Sequence, residues 1–274
     1  MTLDNLICSK KTRGQLQALT TDMPHAILLV GANGMGKRAV ALTSAQTVTN
    51  AGNIAIIEPD EKGTIGIETI RQLYQRTRSR QDGRQIVIID HAEAMGMEAQ
   101  NAFLKLLEEP RPGVSFILTA PTDDALLATI TSRTQMVQLP RLNKTAMQQL
   151  VAGADHTPQA LAQLLFIADG RPGMCVRLRD EPETLAHYTH LMSQAKNLLA
   201  APSFERLAAL GNLAKNREDA IALLEAMARM LHVQLLRSPA DGLLDFADAV
   251  QQTLARLAQN GNPRAQLTAL FARN

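Results

Sequence analysis

The octapeptide Gly31-Ala32-Asn33-Gly34-Met35-Gly36-Lys37-Arg38 lies between an apolar run at 26–30 and a helix-forming stretch at 39–47. A buried strand, a glycine-rich turn and a helix start, in that order, are the setting of a phosphate-binding loop. They commit the first part of the chain to a parallel α/β layer structure, because such a loop works only at the exit of a strand covered by helices. Gly31, Gly34 and Gly36 let successive backbone N–H groups converge on a phosphate, and the helix start adds its partial positive charge. Lys37 is placed to reach the outer phosphates. Arg38 breaks the pattern: it stands where a Ser or Thr hydroxyl would hold Mg²⁺, and a guanidinium cannot ligate a metal.

The surrounding sequence alternates in the way this fold needs. A helix is expected within 3–20, strands at 26–30, 54–57 and 86–89, and helices after Lys37, at 67–78 and at 98–109. Ile86-Val87-Ile88-Ile89 is a β-branched run of the kind found in parallel strands covered on both faces. Further strands are expected at 114–118 and 136–139, and Pro110 stops the helix before them. After Pro140 the strand signal disappears. Short helices are expected at 144–153 and 157–169, with a third after the turn Gly170-Arg171-Pro172-Gly173. Alanine- and leucine-rich helices come next at 183–200, 203–215, 217–237, 241–260 and 264–272, punctuated by Pro202, Pro239 and Pro263, with Asn216 as a helix start. The expected organisation is a nucleotide-binding-like core at 1–140, a small helical lid at 141–180 and a helical bundle at 181–274.

Composition narrows the function classes. The 274 residues carry a formal net charge of +2, so any nucleic-acid contact has to be local rather than a property of the whole chain. Cys8 and Cys175 form no metal or redox pattern, and the chain has no signal peptide and no apolar run near the ~18 residues that a membrane span needs. A reduced, cytoplasmic setting without membrane insertion is the expectation. The six histidines show no metal spacing, and His187 with His190 lacks a flanking carboxylate or cysteine.

Several residues could carry chemistry. Asp90 closes the most apolar strand, where an acid in phosphate-loop proteins binds Mg²⁺; the plainer reading is a strand-end aspartate capping the next helix. His91 stands where a water-polarising carboxylate is expected next, and Glu93 is either a substitute for it or a surface glutamate near a helix start. Thr131-Ser132-Arg133-Thr134 lies between two strands. Arg133 is either solvated surface or an arginine that points out of its own subunit towards a neighbour's phosphate. Five arginines between Arg71 and Arg84 (71, 76, 78, 80 and 84) form a local basic concentration, either a solvated helix face or a contact with phosphate backbone or protein.

The segments 88–95 (Ile88-Ile89-Asp90-His91-Ala92-Glu93-Ala94-Met95), 101–110 (Asn101 through Leu106-Leu107-Glu108-Glu109-Pro110), 116–119 and 127–134, with the turn at 170–173 and Gly261-Asn262-Pro263-Arg264, resemble bacterial clamp-loader subunits of the AAA+ class. The likeness is greatest to the delta prime family of DNA polymerase III subunits. It is specific over 25–178 and rests on length and helical character beyond. The resemblance implies a core, a lid and a carboxy-terminal collar that joins other subunits, with the core domains over primed DNA. It implies a stator that does not hydrolyse ATP and lends Arg133, supported by Ser132, to a neighbouring site. The implied partners are delta and gamma/tau-type ATPase subunits, the sliding clamp indirectly, and primed DNA in the assembled complex.

Against the pattern of active family members, Arg38 replaces the metal-binding hydroxyl and His91 the catalytic glutamate. Ala120-Pro121 offers no polar sensor, and Gly173 stands at the sensor arginine of the lid. The expectation is therefore no ATPase activity by itself, within a DNA polymerase III complex. No cofactor is required, ATP or ADP binding without turnover is left open by Lys37 and the glycines, and no zinc is expected, since 48–68 lacks the family's cysteine cluster. Two alternatives stand beside it: an active AAA+ ATPase, either a loader motor or a helicase-loader-like protein, and a stand-alone DNA-binding regulator on a degenerate ATPase fold.

Overall fold

Three apolar runs become central parallel strands buried along their whole length, and two shorter strands flank them as the sheet's edges. The computed structural model describes residues 3, 6–77, 83–154, 156–213, 215–238, 240–258 and 261–272. The chain divides into two compact units, 1–156 with 168–177, and 157–167 with 178–274. In the first, β1 (Ala26–Val30), β2 (Ile54–Ile57), β3 (Gln85–Ile89), β4 (Val114–Ala120) and β5 (Gln135–Gln138) form one sheet in the order β2-β3-β4-β1-β5. All four pairings are parallel.

Strand alternation sorts the sheet's side chains into two cores. Leu28, Val87, Ile89, Phe116 and Leu118 face α3 (Ile67–Arg76), α4 (Met97–Glu108) and α5 (Ala128–Thr131). Ile27, Leu29, Ile86, Ile88 and Ile117 face α1 (Lys10–Thr21) and α2 (Lys37–Val48). Each such fully buried aliphatic side chain contributes about 1.5–3 kcal/mol of burial. Phe103 of α4 meets Phe116 edge-on at 5.2 Å between ring centroids, anchoring that helix to β4.

The edge strand β5 is protected by side chains rather than by a sixth strand. Thr12 Oγ1 donates to Gln138 O at 3.2 Å and Gln15 Nε2 to Met136 O at 3.1 Å, so α1 satisfies the outward carbonyls. After the sheet come α6 (Lys144–Leu150), α7 (Pro158–Ala168) and α8 (Pro172–Asp180).

The second unit is helical: most of α7, then α9 (Pro182–Ala200), α10 (Ser203–Leu213), α11 (Arg217–Arg237), α12 (Asp241–Ala258) and α13 (Pro263–Phe271). Leu223, Leu224, Met227, Val250, Leu257, Leu267 and Phe271 are its core. Asn216 caps α11 as expected, its side chain accepting from Glu218 N, and Asn262 caps α13.

Most expected elements are present, with shifted ends. The first helix begins at Lys10, where Ser9 accepts from Thr12 N, rather than near residue 3. β4 runs on to Ala120 because Thr119 and Ala120 are fully buried. The four-residue α5 was not expected, being too short to show a period. The expected helix at 67–78 ends at Arg76; Arg78, Arg80 and Pro239 lie outside the described residues.

Candidate functional site

The strands β1, β3 and β4 all end on the same side of the sheet, and their exits assemble the site. The phosphate loop leaves β1 at Gly31, where a side chain would come within 2.9 Å of Leu139 O, so glycine is required by the close approach of the chain after β5. Gly36 caps α2 at φ 81°, a left-handed conformation that only glycine adopts without strain. Lys37 opens α2 and is only 6% exposed. Its ammonium is engaged by the loop itself: Nζ donates to Gly31 O at 2.6 Å, and to Ala32 O and Asn33 Oδ1 at 3.4 Å. Burial draws the Lys37 pKa down, while Glu93 and Asp90 push it back up.

Arg38 reaches away from the loop. Its guanidinium pairs with Glu58, just past the end of β2, and lies 3.7 Å from Asp90 Oδ2. The Glu58 bond is the main reason its pKa is raised. Asp90 thus already faces a cation, on the side where a metal-binding hydroxyl is expected. At 51% side-chain exposure this pairing is screened by water, so it sets charge more than stability.

Thr119 is the residue that sequence reasoning missed. Its hydroxyl donates to Asp90 Oδ1 at 2.6 Å and accepts from His91 N at 3.0 Å. The register of β3 against β4, Ile89 beside Leu118, brings these residues together, and no single segment of sequence reveals it. The bond helps hold His91 at φ 54°, ψ 54°, a left-handed conformation strained for most non-glycine residues. His91 Nδ1 lies 3.0 Å from Glu93 Oε1, and that bond raises the His91 pKa, burial opposing it. Glu93 is three-quarters buried, not the surface glutamate that its place near a helix start allowed. It is turned to His91.

The turn at 170–173 closes over the loop. Met174 N donates to Gly34 O at 2.8 Å. A Cβ at Gly173 would lie 2.8 Å from both Gly34 O and Gly36 N. The position that resembles a sensor arginine is therefore filled by the loop's own backbone, and no side chain fits there without movement. Arg171 is buried and turns into its own bend, Nε donating to Ala168 O at 3.1 Å.

Arg133 stands apart from this cluster. Ile27 pairs with Gln135 and Val30 with Gln138, so Arg133 precedes the entry of β5 whereas Gly31 follows the exit of β1. Four residues of strand separate those levels, about 13 Å at ~3.3 Å per residue. Arg133 is half-exposed, with Nη2 3.1 Å from Glu108 Oε1 and Nη1 donating to Thr129 O at 3.0 Å and Ser132 Oγ at 3.5 Å.

The other candidates separate likewise. Arg71 pairs with Glu68, and Arg84 donates to Met23 O at 2.8 Å. His187 gains from α11 the carboxylate that its local sequence lacks, with Nε2 2.8 Å from Asp219 Oδ1. Among the described residues, no three His, Cys, Asp or Glu gather as a metal site, and no helix is long and apolar enough to cross a membrane.

A family model described as DNA polymerase III, delta subunit, matches residues 47–143. The DNA polymerase III subunit delta' of Pseudomonas aeruginosa is 31% identical over 184 residues, covering 57% of this chain and 56% of that protein. Its Escherichia coli counterpart is 28% identical over 205 residues, covering 74% of this chain and 60% of that protein. The matches thus span little more than half the length of these relatives. A DNA polymerase III gamma subunit-related protein from Thermotoga maritima shares the fold, with a TM-score of 0.56 over 94% of this chain and 97% of that chain at 21% identity. In sequence the chain is similar to DNA polymerase III delta prime subunits, and with the Thermotoga protein it shares the fold.

Proposed function

We propose that this relative of the DNA polymerase III delta prime subunits is a non-hydrolysing stator of a replication clamp loader, and that it lends Arg133 to the ATP site of the adjoining subunit. The observation that carries the reading is the placement of Arg133 at the opposite end of the sheet from Gly31. An arginine there cannot stabilise charge at its own phosphate loop, but half-exposed on a fixed turn it suits a phosphate brought by a neighbour.

The loop end supports the other half of the reading. A metal-bound triphosphate does not fit these residues: Arg38 sets a cation beside Asp90, and the Gly173 backbone lies against Gly36. His91 brings no carboxylate charge to the position where water would be polarised, and its Nδ1 is engaged by Glu93. The chain then needs no cofactor of its own. Residues 1–140 act as the core, 141–180 as a lid and 181–274 as a collar. The collar joins gamma/tau-type and delta subunits in the cytoplasm, and the assembled complex meets the sliding clamp and primed DNA. Phe204, Leu236 and Leu244, apolar and exposed on the helical unit, suit such an assembly.

The test is ATP hydrolysis by the purified chain, alone and then with partner subunits, clamp and primed DNA. The reading expects silence alone and, in the mixture, activity that falls when Arg133 is changed to Ala. Turnover by the lone chain that disappears with Lys37→Ala would replace it with an active ATPase.

A further inference from the structure

The backbone that carries Arg133 is fixed within its own subunit. Ile130 is fully buried, and the N–H groups of Arg133 and Thr134 donate to Ile130 O and Thr131 O at 3.0 and 3.2 Å. Thr134 Oγ1 adds a bond to Thr131 O at 3.0 Å. The side chain needs fixing as well, since a long arginine stem has many rotamers and loses that freedom on engaging a phosphate. Thr129 O and Ser132 Oγ both belong to the arginine's own turn. Glu108 is the partner that comes from another element and the one that carries charge.

Glu108 is well suited to hold a direction. It is the last residue of α4, whose Phe103, Leu106 and Leu107 are buried in the sheet's core, so its backbone is anchored. The end of that helix also carries partial negative charge, which favours a guanidinium beside it. A carboxylate occupies only part of a guanidinium, whose planar fork has five N–H donors, so a phosphate oxygen can bind while Glu108 stays in place.

We infer that Glu108 is a positioning residue for the donated arginine: it fixes the Arg133 guanidinium between the α5 turn and the end of α4, so that a neighbour's phosphate meets a cation already in place. The inference rests on the reading of Arg133 as a donated group. It assigns a purpose to the first glutamate of the Leu107-Glu108-Glu109-Pro110 segment, which otherwise is a solvated helix end.

The test uses the assembled loader with its other ATP sites silenced, so that turnover reports only the site that Arg133 completes. Glu108→Ala should lower kcat about two- to five-fold, the kinetic equivalent of an exposed ion pair, with KM for ATP unchanged. Glu108→Gln, which keeps an acceptor oxygen, should recover more than half of the loss. In an Arg133→Ala background Glu108→Ala should have no effect, because its action runs through the arginine. Wild-type turnover by Glu108→Ala beside a crippled Arg133→Ala overturns the inference alone. So does the same fold-loss repeated on top of Arg133→Ala, which would mark Glu108 as merely structural. Wild-type turnover by Arg133→Ala removes the donated arginine and this inference with it.

Discussion

Lys37 and Arg133 belong to one sheet and meet opposite environments. Lys37, at the strand exits, is enclosed by carbonyls of its own loop, while Arg38 beside it is spent on Glu58 and Asp90. Arg133, at the strand entries, keeps a half-exposed guanidinium on a rigid turn. The contrast teaches that a cation's neighbours, more than its presence in a motif, decide what it can do. At the exits the ammonium is satisfied within its own loop. At the entries the partners of Arg133 hold its guanidinium near the surface.

The largest effect that would break this contrast is kinetic. Arg133→Ala should reduce turnover at the completed neighbouring site by on the order of 10³, the low end for a donated arginine, without shifting the chain's thermal midpoint. A loss of similar size from Lys37→Ala at that neighbouring site would erase the distinction between the two ends.

Next in size is the closure of the loop. Gly173→Ala places a Cβ 2.8 Å from the backbone at Gly34 and Gly36. Overpacking there should cost about 3 kcal/mol, read as a lower urea midpoint with an unchanged slope. An unaltered midpoint would mean that the turn lifts off the loop at little cost.

Thr119→Val should cost about 2 kcal/mol, since it strands Asp90 Oδ1 and the His91 N–H without changing side-chain shape much. The same denaturation experiment checks it, and a neutral outcome would show that the hydroxyl is not what holds His91.

The smallest effect is a pH dependence. A histidine whose pKa is raised on folding contributes stability that is fully present below its unfolded value, near ~6.5, and is lost as pH rises through the folded value. Glu93 raises the His91 pKa, so the native chain should lose a little stability from about pH 6 upward on this account. Glu93→Gln should flatten that slope in thermal melts taken across the range. Half-exposure keeps the change small, and an unchanged slope would remove the pair from the site's electrostatics.

How much of this was legible depends on where the information lies along the chain. β1, the glycines and Lys37 are adjacent in sequence and obey local rules, so strand, loop and helix could be read directly. The β-branched run of β3 declared its burial for the same reason. Thr119 could not be found, because its bond to Asp90 depends on which residues two strands set side by side. The Glu58 partner of Arg38 needs the order of β2 in the sheet, and the fit of Gly173 onto Gly36 joins distant segments through a backbone contact. The four-residue α5 lacks even one full period of pattern, although Arg133 depends on it.

The hydrogen bond from Met174 to Gly34, with Gly173 against Gly36, has a thermodynamic consequence. Where a bound molecule bridges two segments, its free concentration enters the equilibrium between the joined and parted states, and mass action sets their ratio. Here the bridge is covalently part of the chain. Its closure is a unimolecular step, completed without recruiting a molecule from solution.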